Sequence, residues 1–247
     1  MNLILLGTFA SVVAGSATIV GALVVFFMHR VSDKFLDTSL GFAAGVMLAA
    51  TFFGLVTPAV ALGGIWRASA GILLGMLFFI MMERAVPHIH RVAGVKGPVT
   101  HLSKATLFML AMTIHNFPEG LSVGVGFARA DIRAGIILAV GIGIQNLVEG
   151  MATSLTLLKD RSRAMQAFLI ASFTAIVEPV GGLFGISVLS VSQYLLPYGL
   201  AFAAGAMLFV TSEELIPETH SRGNAREATM GLIFGFITMM ILEKLFV

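Results

Sequence analysis

Two seven-residue stretches concentrate the polar chemistry of a chain that is otherwise almost uncharged. Residues 114–120 read IHNFPEG and residues 144–150 read IQNLVEG. In each, a donor (His115 or Gln145) precedes a glutamate (Glu119 or Glu149) by four positions, so the pair shares one helical face. Asn116 follows His115 as Asn146 follows Gln145, and the two stretches read as paired copies. A third motif, IVEPVGG, adds Glu178. Imidazole, carboxylate and amide groups together supply the nitrogen and oxygen donors that hold a divalent cation.

The surroundings sharpen this chemistry. The chain has 247 residues, 57% hydrophobic and only 11% charged, with a mean hydropathy of +0.97. A soluble protein carries roughly a quarter charged residues. Apolar runs long enough to cross a bilayer, which takes about 20 helical residues, recur from end to end. The expected fold is all-α: a polytopic membrane protein with spans at about 3–28, 38–58, 66–86, 103–128, 133–158, 165–191, 195–215 and 227–246. Residues 1–247 form one integral membrane domain. The N-terminus has no basic leader or small-residue cleavage site, so the run from Leu3 is expected to stay as a span.

On these boundaries His115, Glu119, Gln145, Glu149 and Glu178 fall near the middle of spans 4, 5 and 6. A mid-membrane carboxylate costs at least a few kcal/mol. Those spans have no interior Lys or Arg, so three such groups would repel one another unless a bound cation supplied the missing charge. Pro118 cannot donate to the Ile114 carbonyl, and Pro179 cannot donate to that of Ala175, so a kink is expected at each. Irregular backbone at membrane depth is tolerated where it lines a polar cavity.

The charges outside the spans set topology. With the N-terminus outside, Arg30, Lys34, Arg84, Arg91, Lys96, Lys104, Lys159, Arg161, Arg163, Arg222 and Arg226 lie inside. Only Arg67, Arg129, Arg133 and Lys244 lie outside. This positive-inside bias puts both termini outside. The net charge of +2 is scattered, with no basic stripe for nucleic acid. The absence of cysteine excludes disulfides and thiolate metal sites, and no GxxxxGK[ST] loop is present for ATP.

The chain also repeats itself. Residues 41–60 align without gaps on residues 201–220, and residues 71–84 align at the same 160-residue offset on 231–244. That pairs Gly71 with Gly231, Gly75 with Gly235, Glu83 with Glu243 and Met47 with Met207. Spans 1–3 thus resemble spans 6–8. Two intervening spans force the copies into opposite orientation, an inverted repeat in a 3+2+3 arrangement. Small-xxx-small pairs such as Gly41/Gly45 and Gly231/Gly235 are read as packing devices. On the inner side, His88 and His90 in PHIH, and Glu213 and Glu214 in SEELIPETH, form a candidate cytoplasmic exit site. His101, Glu218 and His220 lie nearby.

These residues resemble the ZIP (Zrt/Irt-like) family of divalent-metal transporters, in its bacterial branch. The resemblance runs through HNFPEG, QNLVEG, the EP of span 6, GFAAGVMLAA and EELIPETH, and so covers essentially the whole chain. It implies uptake of Zn2+ foremost, with Fe2+, Mn2+ or Cd2+ accepted, no organic cofactor, residence in the cytoplasmic (inner) membrane and frequent assembly as a homodimer. It implies one metal held by His115, Glu119, Gln145 and Glu149 with Met47 nearby, and a second held by Asn116, Glu119, Asn146, Glu149 and Glu178. It also implies an elevator-like movement of spans 1, 4, 5 and 6 against the rest. Where relatives often carry Asp and then Pro in span 5, this chain has Asn146 and Val148, which leaves the number of metals open. A single histidine also makes the donor set harder and less exclusive for zinc. An intramembrane metalloenzyme using the same carboxylates is the alternative, although no HExxH motif is present.

Overall fold

Polar caps open four of the long helices, because the first turn of a helix has N–H groups with no internal partner. Asn2 accepts from the Ile4 amide at 3.0 Å, Ser32 from Phe35 at 3.2 Å, Ser103 from Thr106 at 3.2 Å and Asp131 from Ala134 at 3.1 Å. The computed structural model describes residues 2–28, 31–90, 94–129, 131–160 and 162–246. Three of the expected inner-loop cations, Arg30, Arg91 and Arg161, lie outside the described residues.

In chain order the helices are α1 (Leu3–Ala22), α2 (Asp33–Ala49), α3 (Thr57–Ala85), α4 (Lys104–Ala128), α5 (Ile132–Lys159), α6 (Ala164–Thr174), α7 (Val177–Val191), α8 (Leu196–Val210), α9 (Ile216–His220) and α10 (Ala225–Phe246). A short hairpin of β1 (His88–His90) and β2 (Gly94–Lys96) separates α3 from α4. Among the described residues, six helical stretches are long and apolar enough to cross a membrane. The chain is an all-α, polytopic integral membrane protein. One of the six, Asp33–Ala85, is 53 residues long. It turns at Gly64, whose φ of 76° is a left-handed backbone that a side chain would strain. The helical run in the region of span 2 therefore starts earlier than expected, because Ser32 caps it, and carries on to that glycine. Helix α4, which holds IHNFPEG, is not among the six.

The two prolines differ in their effect on the helix that holds them. Pro118 lies inside an unbroken α4. Near Pro179 the helix does break, between α6 and α7, but the Ala175 carbonyl is not left free. It accepts from the Glu178 amide at 3.3 Å, a tightened turn that takes over the bond proline cannot make.

Helix α2 packs along α10, α3 along α8, α1 along α5 and α4 along α7. The contacts recur at the 160-residue spacing. Gly45 lies against the Leu232 carbonyl, and Gly205 lies against that of Ile72. Gly75 meets the Phe202 carbonyl, and Gly235 that of Phe42. A β-carbon at any of these glycines would collide with backbone, so only glycine allows the helices this close. A π-helical segment follows α2 at Ala50–Val56, and another follows α8 at Thr211–Leu215. In each, a threonine hydroxyl donates to the carbonyl one turn back: Thr51 to Met47 at 2.7 Å and Thr211 to Met207 at 2.8 Å. The same hydroxyls reach across to the other copy's sulfur, Thr51 to Met207 and Thr211 to Met47, both at 3.8 Å.

Asp37 is fully buried and paired with Arg222, while Asn224 donates to it at 2.9 Å. This ties the start of α2 to the turn before α10. Lys159 joins α5 to Asp33 at 2.6 Å.

The matched glycine contacts give a direct expectation. Gly45→Val and Gly205→Val should each destabilise the protein by about 2 kcal/mol through overpacking against backbone. Melting of the purified protein in detergent should show drops of similar size for both, and a change confined to one would mean that the contacts are not equivalent.

Candidate metal centre

Because α4 and α5 carry their donors at i and i+4, each presents a nitrogen or amide donor above a carboxylate on one face. The structure turns those two faces toward each other. His115 Nε2 stands 3.5 Å from Glu119 Oε1 and 3.5 Å from Glu149 Oε1. Gln145 Nε2 donates to Glu119 Oε1. His115, Asn116, Glu119, Gln145, Asn146, Glu149 and Glu178 are all at most 3% exposed. The ion pairs of the described residues put no Lys or Arg on Glu119, Glu149 or Glu178.

Buried polar atoms almost always have partners, so the exceptions locate the chemistry. His115 Nε2, Asn116 Oδ1, Glu119 Oε2, Gln145 Oε1 and Glu149 Oε1 have no hydrogen-bond partner. His115, Glu119 and Glu149 each offer one ligand atom within 4.8 Å of the others. A metal about 2.1 Å from each donor in a tetrahedral site separates the donors by roughly 3.4 Å. The two 3.5 Å separations around His115 Nε2 match that edge.

The remaining expected ligands are placed differently. Asn116 Nδ2 donates to the Thr174 carbonyl at 3.2 Å, and Asn146 Nδ2 donates to the Ala14 carbonyl at 3.1 Å. Residues 14 and 174 are again 160 apart, so both asparagines clip their helices to α1 or α6 in matching fashion. Asn146 also donates to Glu178 Oε2 at 2.7 Å, and Thr18 donates to Glu178 Oε1 at 3.5 Å. Met47 is buried beside the Thr211 hydroxyl and is not among the residues that line the cavity described next.

A narrow cavity of about 40 Å3 runs from His115 and Glu149, past Thr153 and Thr156 of α5, to His90, Glu214 and Glu218. That is room for a few water-sized occupants. Glu214 bridges its ends, with Oε2 at 3.5 Å from His115 Nδ1 and 3.9 Å from His90 Nδ1. A carboxylate on Nδ1 fixes the His115 tautomer and leaves Nε2 as the donor facing Glu119 and Glu149. Glu213, by contrast, is turned toward Lys96 at 3.1 Å and is half-exposed.

The hairpin places His88 and His90 on one face of β1, because alternate strand residues point the same way. Both approach Glu83 Oε1, His88 at 3.8 Å and His90 at 3.4 Å. Glu83 Oε1, His88 Nε2 and His90 Nε2 have no hydrogen-bond partner, and the three residues form a second group able to hold an ion. Burial works against a charged His88, but the Glu83 carboxylate and the Val86 carbonyl outweigh it and raise its pKa above the ordinary value. Glu83 was not assigned to a site from the sequence. The signal was present in ERAVPHIH, a carboxylate at a helix end before two alternating histidines.

The fold and this cluster describe an integral membrane protein whose buried donors are of the kind that could hold a metal ion. Comparison with known proteins makes the class specific. The sequence model of the ZIP Zinc transporter family matches residues 95–243. The chain is 44% identical to "Zinc transporter GufA" of Myxococcus xanthus, over 96% of this chain and 97% of that protein. It is 38% identical to "Zinc transporter ZIPB" of Bordetella bronchiseptica, over 92% and 77% of the respective lengths. With "Zinc transporter ZIP11" of Homo sapiens it shares 32% identity over 97% and 96%. The chain belongs to the ZIP family. Membership in a family of transporters sets aside the metalloenzyme reading of the same carboxylates.

The inner cluster makes a separable expectation. Replacing His88 and His90 together with alanine should remove about one bound Zn2+ per chain at saturation, since both nitrogen donors of that group are lost. Equilibrium dialysis followed by metal analysis checks this, and an unchanged count would mean that the group holds no ion.

Proposed function

We propose that this chain carries divalent metal ions, Zn2+ foremost, across the cytoplasmic membrane into the cell. The observation that carries the reading is the convergence of unpartnered donor atoms from His115, Glu119, Gln145 and Glu149 in a site where no Lys or Arg of the described residues pairs with the carboxylates. Two carboxylates and one imidazole leave a charge deficit that a divalent cation offsets. One nitrogen among oxygen donors also accommodates Fe2+, Mn2+ or Cd2+, so selectivity for zinc is incomplete.

The transport route follows the chemistry. The ion sheds water on the outer side, binds between α4 and α5 near mid-membrane, and leaves along the cavity toward Glu214, His90, Glu83 and His88. Ligands must be deprotonated to bind, so protons compete with the metal.

The architecture proposed with this function is one domain over residues 1–247 with eight crossings and both termini outside. Asp33–Ala85 supplies two crossings joined at Gly64, and α4 supplies another. Repeat-matched glycine contacts, paired π-helical segments and the reciprocal Met–Thr contacts support an inverted 3+2+3 repeat. A homodimer is the assembly expected from the family resemblance.

Zn2+ uptake into proteoliposomes, followed with a trapped fluorescent indicator, tests the function. Glu119→Ala and Glu149→Ala each strip a buried charge from the site and should cost at least about 3 kcal/mol of ion binding, over a hundredfold. Their initial uptake at low Zn2+ should fall to the protein-free background. Uptake equal to the unsubstituted protein would remove these residues from the route.

A further inference from the structure

The donors around Glu178 differ from those around Glu149 in one respect: they are satisfied. Both Glu178 carboxylate oxygens accept hydrogen bonds, Oε2 from Asn146 Nδ2 at 2.7 Å and Oε1 from Thr18 Oγ1 at 3.5 Å. Neither is among the unpartnered buried atoms, whereas Glu119 Oε2, Glu149 Oε1, Gln145 Oε1 and His115 Nε2 all are. Glu178 also sits in the first turn of α7, where the positive end of the helix dipole favours a negative charge. The break after α6 creates that helix start, so the fold itself offsets part of the Glu178 charge.

Asn146 is the hub of this arrangement. Its Nδ2 binds Glu178 and the Ala14 carbonyl, and its Oδ1 accepts from Gln145 Nε2 at 3.5 Å. Gln145 Nε2 also donates to Glu119 Oε1. With its amide nitrogen held by Asn146 and Glu119, Gln145 turns its carbonyl oxygen, Oε1, out as an unpartnered donor. A carboxylate at position 146 could still accept from Gln145 but could not donate to Glu178. Two acids would then face each other in a buried site, an arrangement that calls for a cation between them.

We propose that the Asn146 amide stands where a second cation would otherwise be needed. It ties Glu178 to α1 and orients Gln145, so that α4 and α5 hold one transported ion and Asn146 and Glu178 act as positioning residues. The inference rests on the metal-site reading above and deepens it by fixing how many ions that site carries and which residues touch them. Thr18 completes the clasp from the repeat-equivalent position of Glu178 itself, 160 residues earlier.

The test is equilibrium binding of Zn2+ to the purified full-length protein in detergent, with stoichiometry from metal analysis and affinity from competition with a chelating dye. Glu178→Gln keeps a carbonyl acceptor for Asn146 and an amide that can meet Thr18, so affinity should stay within about threefold. Glu178→Ala opens the clasp and should weaken binding about tenfold, as loss of an outer partner does. Rescue by Gln but not Ala marks a positioning role. Glu149→Gln removes a charged ligand and should weaken binding about a hundredfold. Asn146→Asp should raise the count at saturation by one Zn2+ per chain. The proposal falls if Glu178→Gln weakens binding as much as Glu149→Gln does, or if Asn146→Asp leaves the count unchanged. If Glu149→Gln binds Zn2+ as tightly as the unsubstituted protein, the metal-site reading itself falls, and this proposal with it.

Discussion

The structure is arranged around three carboxylates, Glu119, Glu149 and Glu178, taken out of water with no Lys or Arg among the described residues paired to them. In a low-dielectric interior, such a group needs hydrogen-bond donors, a helix N-terminus or a cation, because isolated burial costs several kcal/mol. The protein uses different solutions within a few ångströms. Glu178 is met by two side-chain donors and the start of α7. Glu119 receives one amide from Gln145 and keeps an oxygen unpartnered, as Glu149 does. Unequal satisfaction of otherwise similar acids separates a scaffold from a binding site.

Holding those acids in register requires helices that approach one another closely and do not drift. Glycines at the crossing points allow carbonyls of one helix to lie against the backbone of the next. Asn116 and Asn146 then fasten α4 to α6 and α5 to α1 with side-chain amides on main-chain carbonyls. Each asparagine thus fixes a neighbouring helix one residue away from His115 or Gln145, whose Nε2 and Oε1 have no hydrogen-bond partner. Ion pairs act elsewhere in the bundle: Lys159 joins the end of α5 to the start of α2 through Asp33, and Asp37 of α2 pairs with Arg222 before α10.

Much of this was legible in the residues, for identifiable reasons. The helical pattern follows from long apolar runs, and the pairing of His115 with Glu119 and of Gln145 with Glu149 follows from helical periodicity. The 160-residue offset was visible because Gly and Met positions survive in both copies. Other features were hidden because they depend on which atoms meet. Pro118 lies within a continuous α4, whereas the helix is interrupted just before Pro179, and nothing in the two prolines themselves distinguishes these outcomes. The Ala175 carbonyl was expected to be free, yet the Glu178 amide reaches it. Glu83 stood out only as the repeat mate of Glu243, because its approach to His88 and His90 depends on the hairpin that follows α3. The π-helical segments have no sequence signature in apolar stretches such as ATFFGLV. Nor does a sequence say which oxygen of a buried acid is already engaged, and the chemistry of Glu178 turns on that point.

The crossed methionine and threonine contacts constrain how such a molecule could move. Thr51 and Thr211 each bridge a carbonyl on their own helix and a sulfur on the other. Helices α2 and α8, with the π-helical segments that follow them, are therefore joined at two points, like the arms of a trestle braced at the crossing. Sliding one past the other would break both braces at once. The ligand-bearing helix α4 has a brace of the same kind: Ser122 donates to the Pro118 carbonyl and reaches the Met207 sulfur, both at 2.7 Å, while Asn116 and Asn146 fasten α4 to α6 and α5 to α1. Met207 thus meets hydroxyls from both Thr51 and Ser122, so one sulfur joins the two repeat-related helices to the helix that carries His115 and Glu119.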